Sequence, residues 1–345
     1  ELEAERDELK NRIEYLEGLL ADEAKLRELV ATELDATAEI IGTPRRTVLI
    51  EGAMKELTAK GKKAPENLKI ADAPTRVLLS TSGRIARTSD AAVLARSGKR
   101  ASHDALVSEI VTTTQGRIGA VTSTGRLHMV DVVDLPALPP GAARPNVAGG
   151  VKIAEYMALE KSEKVIGLID LDREFLLGTA EGVVKRVSVA GRPNKSEWDA
   201  IALKGKDAVI GIAQPRDIDA SRAVFVTSNA QLLAFDASGL RAQGWNASGV
   251  AGIKLAAEAT AIFFGAVPAE PDEEMALSVV TIASGENFYG APSSSIKVSE
   301  FVEFPTKGRA TAGVRAHKFL KGETELSLAW VGDSPQAAAS AGGAR

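Results

Sequence analysis

Cysteine is absent from all 345 residues, so the chain can form no disulfide, no thiolate metal site and no cysteine nucleophile, which suits a reducing compartment. Histidine is scarce: His103, His128 and His317 are scattered without the spacing of a metal site, and structural or surface roles are expected for them. Long apolar runs are missing as well. None approaches the roughly 18 residues of a membrane span, and the acidic, heptad-patterned start is unlike a secretion signal. The expectation is a cytoplasmic protein outside the membrane, with no cofactor of its own. An excess of positive charge is also lacking, since the formal net charge is −4. Residues 1–74 hold 12 Lys and Arg against 17 Asp and Glu, which leaves the rest near neutral at 30 against 29. An all-round polycation is excluded; a basic patch on a neutral body is not.

Residues 1–20 place Leu2, Leu9, Ile13, Leu16 and Leu20 at alternating three- and four-residue steps, the seam of a coiled coil, interrupted by Arg6. The seam shifts near Ala21-Asp22 and resumes through Leu26, Leu29, Val30, Leu34 and Ile40-Ile41; Gly42 and Pro44 then end the helical pattern. A seam of this length needs a partner, which points to an upstream segment or another subunit. The expected organisation is a helical arm over 1–41, a linker over 42–75, a repeat domain over 76–332 and a disordered tail over 333–345.

The repeats carry the information. "RVLLSTSGRIART" (76–88), "RIGAVTSTGRLHMV" (117–130), "REFLLGTAEGVVKRV" (173–187) and "RAVFVTSNAQLLAF" (222–235) share one layout, and "ALSVVTIASGENF" (276–288) repeats its first half. Each reads as a β-hairpin: an apolar run, Ser or Thr, two small or polar residues, Gly or Ala, then an alternating run. The leading Ser or Thr falls at 80, 122, 179, 227 and 281, the period of a four-stranded propeller-type blade. The fifth copy carries an insertion, "ENFYGAPSSS" (286–295), and "LSLAWVG" (326–332) supplies a closing strand.

Each hairpin is followed by a second motif, a Gly beside a basic residue: "ARSGKR" (95–100), "AGGVKI" (148–153), "LKGKDAV" (203–209), "GVAGIKL" (249–255) and "KGRATAGVR" (307–315). In a ring these recur at equivalent positions and form a broken basic belt, able to neutralise phosphates along a curved duplex without reading bases. The candidate contacts are Arg96, Lys99 and Arg100 in the first motif, Lys204 and Lys206 in the third, Lys254 in the fourth, and Lys307, Arg309 and Arg315 in the fifth. Beside the hairpin turns stand Arg84, Arg87, Arg117, Arg126 and the pair Lys185-Arg186. That pair points to opposite strand faces, so at most one of the two serves a given surface. Ordinary strand-end charge explains these turn-side residues equally well. The acidic run "EPDEE" (270–274) reads as a solvated loop, not a metal site.

The succession "IEYLEGLLADEAKLRELVATEL" (13–34), "IIGTPRRTVLI" (40–50) and blades containing "TSGRIART", "TAEGVVKRV" and "KGRATAGVR" resembles the rear half of the A subunit of bacterial type IIA topoisomerases, over nearly the whole chain. The resemblance implies a mainly β fold, a β-pinwheel of five or six four-stranded blades preceded by a long coiled-coil helix. It implies a domain that binds and bends double-stranded DNA independently of sequence and presents it for ATP-dependent strand passage. The implied partners are upstream A-subunit domains, a second A subunit and an ATPase B subunit. Within the family, the gyrase box Gln-Arg-Arg-Gly-Gly-Lys-Gly corresponds to "LARSGKR" (94–100), which keeps Arg96, Gly98 and Lys99 and loses the rest, leaning the chain towards topoisomerase IV. Strand cleavage in the family uses a tyrosine after an arginine; Tyr15, Tyr156 and Tyr289 have no preceding Arg, so no catalytic residue is expected and the chain should be inactive alone. Two other readings stay open: gyrase-type chiral wrapping, and a propeller-like protein-interaction scaffold.

Overall fold

A computed structural model describes residues 2–41, 71–94, 105–138, 146–271, 275–286 and 292–333. The chain divides into two units, residues 1–69 and 70–345. In the first, the shift of the heptad seam is a break between two helices, Leu2–Ala21 and Glu23–Ile41. Asp22 causes it: its carboxylate accepts the Ala24 N–H at 3.0 Å and caps the second helix. The seam stays largely uncovered, with Leu9, Ile13, Leu20, Leu34 and Ile40 all exposed.

Among the described residues, the second unit is built from five hairpin-centred sheets. Blade 1 pairs the hairpin Pro74–Ser80 and Arg84–Arg87 with a return strand, Leu106–Thr113, lying antiparallel on the first hairpin strand. Blade 2 repeats this with Arg117–Thr122, Arg126–Asp131 and Val165–Asp170, and blade 3 with Phe175–Thr179, Val183–Val187 and Val209–Ala213. Blade 4 uses Ser221–Thr227, Gln231–Asp236 and Ala261–Pro268, and blade 5 uses Leu277–Glu286, Pro292–Glu300 and Glu323–Asp333. The first strand starts two residues inside the segment assigned to the linker, because Pro74 and Thr75 pair with Thr113 and Thr112 of the return strand, and the Thr88 carbonyl accepts Thr75 Oγ1 at 2.6 Å.

Outer strands are exchanged along the chain. Val151–Lys152, beyond the second hairpin, completes blade 1, and Glu197–Asp199, beyond the third, completes blade 2. Ala242–Gln243 and Val250–Ala251 both join blade 3, and Val314–Arg315 joins blade 4. Blade 5 has three strands among the described residues.

The four tight turns have one chemistry. The N–H of Gly83, Gly125, Gly182 or Ala230 donates to the carbonyl of Ser80, Thr122, Thr179 or Thr227 at 2.9–3.0 Å. The turn residue has φ of +73, +79, +78 or +63°, the region where glycine is least strained. That geometry leaves its own carbonyl outward, and the incoming segment uses it: Ile153, Ala200, Gly252 and Ala316 donate to the carbonyls of Gly83, Gly125, Gly182 and Ala230 in turn, at 2.8–2.9 Å. Each turn is thus the docking point for chain donated by the next repeat.

The fifth pattern match is not a turn. Thr281 lies mid-strand, buried, between Lys297 and Ala329, and the strand continues to Glu286. Part of the expected insertion is strand too: Glu286 and residues 292–295 lengthen the hairpin, and 287–291 lie outside the described residues.

Apolar side chains fill the spaces between blades. Val77 and Leu79 of blade 1 meet Ile118, Ala120 and Val130 of blade 2, and Val121 and Leu127 of blade 2 meet Phe175 and Leu177 of blade 3. Leu176 and Val184 of blade 3 meet Phe225 and Phe264 of blade 4, and Val224 and Leu232 of blade 4 meet Val279 and Leu326 of blade 5. Both faces of an inner blade are covered, which is why the leading strands read as continuous apolar runs.

His317 joins the outer segment of blade 4 to blade 5. Its Nδ1 is 2.8 Å from Thr281 Oγ1 and its Nε2 is 3.0 Å from Ser295 Oγ. Burial, with help from Lys297 and against Glu323, lowers its pKa; burial likewise lowers that of His128. The unfolded chain, with histidines near about 6.5, then binds protons that the folded chain refuses, so stability rises with pH through this window. Melting temperature should therefore fall as pH is lowered from about 7.5 to about 5, and a His317→Gln variant should show a shallower fall in thermal unfolding.

Candidate nucleic-acid interface

The structure divides the fifteen basic candidates by where their charge goes. Five, half-buried or buried, bond to other segments of the chain. Arg84 donates to the Gly150 carbonyl at 2.6 Å and Arg87 to the Leu135 carbonyl at 3.2 Å, both holding chain that packs on blade 1. Arg126 pairs with Glu197 at 2.6 Å and lies 3.9 Å from Glu163, beside His128. Arg186 is gripped by Glu174 at 2.7 Å and Asp219 at 2.6 Å; despite the cost of burial, these two carboxylates raise its pKa. Lys185 is 1% exposed and leaves the surface altogether. The alternation along Val183–Val187 does send the pair to opposite faces, but neither side chain is presented to solvent as a free cation. A run of "KR" in an alternating strand carries no signal of this, because burial is set by the next blade.

The remaining described candidates face outward. Arg117 is exposed but pairs with Asp131 at 2.7 Å. Lys204, Lys206, Lys254, Lys307, Arg309 and Arg315 are exposed, and none has an ion pair to a described carboxylate. Arg96, Lys99 and Arg100 lie outside the described residues.

Backbone hydrogen bonds link the segments that carry the exposed six. Ala202 N–H donates to the Ala247 carbonyl at 3.3 Å, Lys254 N–H to Thr311 at 3.0 Å, and Ala310 N–H to Gly252 at 2.7 Å. Arg309 adds a guanidinium bond to the Ala251 carbonyl at 2.5 Å, and Lys307 Nζ reaches the Gly313 carbonyl at 3.2 Å. Chain leading into and out of the outer strands of blades 2, 3 and 4 is therefore one connected strip that bears these six cations, with Lys195 and Arg241 also exposed along it. Basic charge on such a strip, without acidic partners, suits polyanion backbone binding more than a small-molecule site. No group of three or more metal-ligating side chains occurs among the described residues. No described helix is long and apolar enough to cross a membrane.

Lys318 belongs to the same strip and escapes the sequence motif. Gly252 and Ala316 dock on equivalent turn carbonyls, which puts Lys318 where Lys254 stands, and Lys318 is exposed. The motif ends at Arg315; only the hydrogen-bond register aligns the two lysines.

Residues 222–267 and 295–324, most of blade 4 and part of blade 5, match a family model described as the DNA gyrase C-terminal domain, beta-propeller. The chain is 28% identical over 310 residues to the DNA gyrase A protein of Staphylococcus epidermidis, covering 86% of this chain and 33% of the relative. It is 29% identical over 269 residues to that of Lawsonia intracellularis, covering 74% and 31%. The chain thus spans about a third of the length of these curated relatives. A solved structure, the C-terminal domain of DNA topoisomerase IV, shares the fold with a TM-score of 0.58 at 20% identity, covering 77% of this chain and 79% of that one.

Proposed function

Because the chain belongs to the family of C-terminal domains of the gyrase and topoisomerase IV A proteins, we propose that its basic strip binds duplex DNA through the phosphate backbone and bends it. The observation that carries this reading is the strip itself: six exposed candidate cations, joined by Lys318, on hydrogen-bonded perimeter segments without described acidic partners. Phosphate contacts of this kind hold DNA without reading its sequence, and a curved row of them holds it bent. The domain would present the bent duplex to a strand-passage machine whose cleaving tyrosine and ATPase belong to other domains and a partner B subunit. It would work in a cytoplasmic complex with no cofactor of its own. The uncovered seam on Leu2–Ala21 and Glu23–Ile41 suits an apolar partner helix from upstream A-subunit domains or a second A subunit.

Binding of the chain to a linear duplex, followed against salt, tests this. The expected result is a log–log slope near −5, about −0.9 for each of six phosphates. No binding at low salt would instead make the domain a protein-docking scaffold. We favour bending without fixed handedness, of the topoisomerase IV kind, because "LARSGKR" keeps only three box positions. The curated relatives, which are gyrase A proteins, support chiral wrapping instead. Relaxed closed-circular DNA incubated with the chain and then treated with a relaxing enzyme separates the two. Trapped supercoils of one sign mean wrapping, and none means bending.

A further inference from the structure

Lys185 stands on the second hairpin strand of blade 3, and its ammonium is completely coordinated. Nζ donates to the carbonyls of Ala200 at 2.7 Å, Trp245 at 2.7 Å and Ala247 at 2.9 Å. An ammonium has three N–H groups and no acceptor, so all its capacity is used. The three carbonyls come from two different outer segments. Ala200 leads to Lys204 and Lys206; Trp245 and Ala247 lead to Lys254. The same segments line a cleft of about 210 Å³, with Ile201 and Lys204 on one wall and Ser248 and Val250 on the other. Removing the ammonium would leave three carbonyls without this donor, so it ties the two segments to one point.

We propose that Lys185 is the positioning residue of the basic strip, a three-carbonyl clamp that fixes the separation of two outer segments so that Lys204, Lys206 and Lys254 address one duplex together. This rests on the duplex-binding reading above. Without the clamp each cation keeps its charge, but the segments no longer share one register, and simultaneous phosphate contacts become entropically more expensive.

The test is a mutant cycle on the whole chain, read by duplex affinity against salt and by thermal unfolding. Lys185→Met should lower affinity about tenfold and flatten the slope by about one or two contacts of −0.9 each. In a Lys204→Ala/Lys206→Ala/Lys254→Ala background the same substitution should leave affinity unchanged while still moving the melting temperature. A purely structural lysine would give the same affinity loss in both backgrounds, or none in a folded variant, and either result overturns the proposal. Absence of binding by the unsubstituted chain overturns the duplex-binding reading itself.

Should Lys185→Met not unfold cooperatively, the unsubstituted chain supplies the measurement. Burial pushes the Lys185 ammonium down to about 8, whereas lysines ordinarily stay charged to about pH 10. Leu177 across the hairpin, Gly249 against its stem and the three carbonyls face it, and none of these titrates. Affinity should fall about tenfold between pH 7 and 9, centred near 8; a flat profile overturns the clamp.

Discussion

Replacing Lys204, Lys206, Lys254, Lys307, Arg309 and Arg315 together by alanine is expected to reduce duplex affinity on the order of 10³-fold at about 0.1 M salt and to flatten the salt slope by about 5. The side chains are exposed and bond at most to backbone carbonyls, so the variant should unfold near the temperature of the parent. Loss of affinity without loss of fold is the signature required. The inward-turned set supplies the contrast. Arg186→Ala leaves Glu174 and Asp219 without their guanidinium and should lower the melting temperature while leaving the salt slope alone. If the six-residue variant binds with an unchanged slope, the duplex lies elsewhere on the molecule.

Gly178→Val should destabilise the repeat domain by about 3 kcal/mol or more, measured by denaturant unfolding. A Cβ built on Gly178 falls 2.3 Å from Phe264 Cγ, and one built on Gly211, beside it on the return strand, falls 2.2 Å from the Phe264 carbonyl oxygen. Two glycines of blade 3 thus form a notch that receives one aromatic residue of blade 4. Phe264 cannot swing aside, because the Phe225 ring lies against it, tilted by 53° with centroids 4.8 Å apart, and both are buried. Phe264→Ala alone should lose about 3–5 kcal/mol. Together the two substitutions should lose clearly less than their sum, since the valine occupies space the ring has left. Additive losses would mean that the notch is not where the two blades meet.

What the sequence discloses depends on how local each feature is. The hairpins at Ser80, Thr122, Thr179 and Thr227 are legible because a tight turn needs a positive φ at its fourth residue, and three of four sites advertise it with glycine. Ala230 fills the same role without that label and is found only by its place in the repeat. Thr281 misleads because "TIASG" has the composition of the turn while cross-strand partners on both sides keep it extended. The outer strands are illegible as strands: Val151–Lys152, Ala242–Gln243 and Val314–Arg315 are two residues each, too short to show an alternation. Three outer strands, Val151–Lys152, Val250–Ala251 and Val314–Arg315, are nonetheless visible as recurring glycine-and-basic motifs, since Gly150, Gly249 and Gly313 lie against the Ile85, Val184 and Leu232 carbonyls of the second hairpin strands. The sorting of the basic residues is the least local property. Lys185 and Lys204 look alike in sequence, and only the donated segments, arriving some sixty residues downstream in the case of Trp245, decide that one is interior.

Strand donation also sets an order of events during synthesis. The hairpin and return strand of blade 1 are complete once Thr113 is made, yet its outer strand ends only at Lys152. At about 5–20 residues per second a ribosome needs roughly 2–8 s for that interval. Arg87 is covered once residues 136–138 bond to it, but Arg84 and Ile85 stay an open edge until Val151–Lys152 arrives, and a comparable delay recurs at blades 2, 3 and 4. A nascent chain on a neighbouring ribosome offers the same outer strand, so strand exchange between chains competes with self-completion, and its share rises with the local concentration of nascent chains.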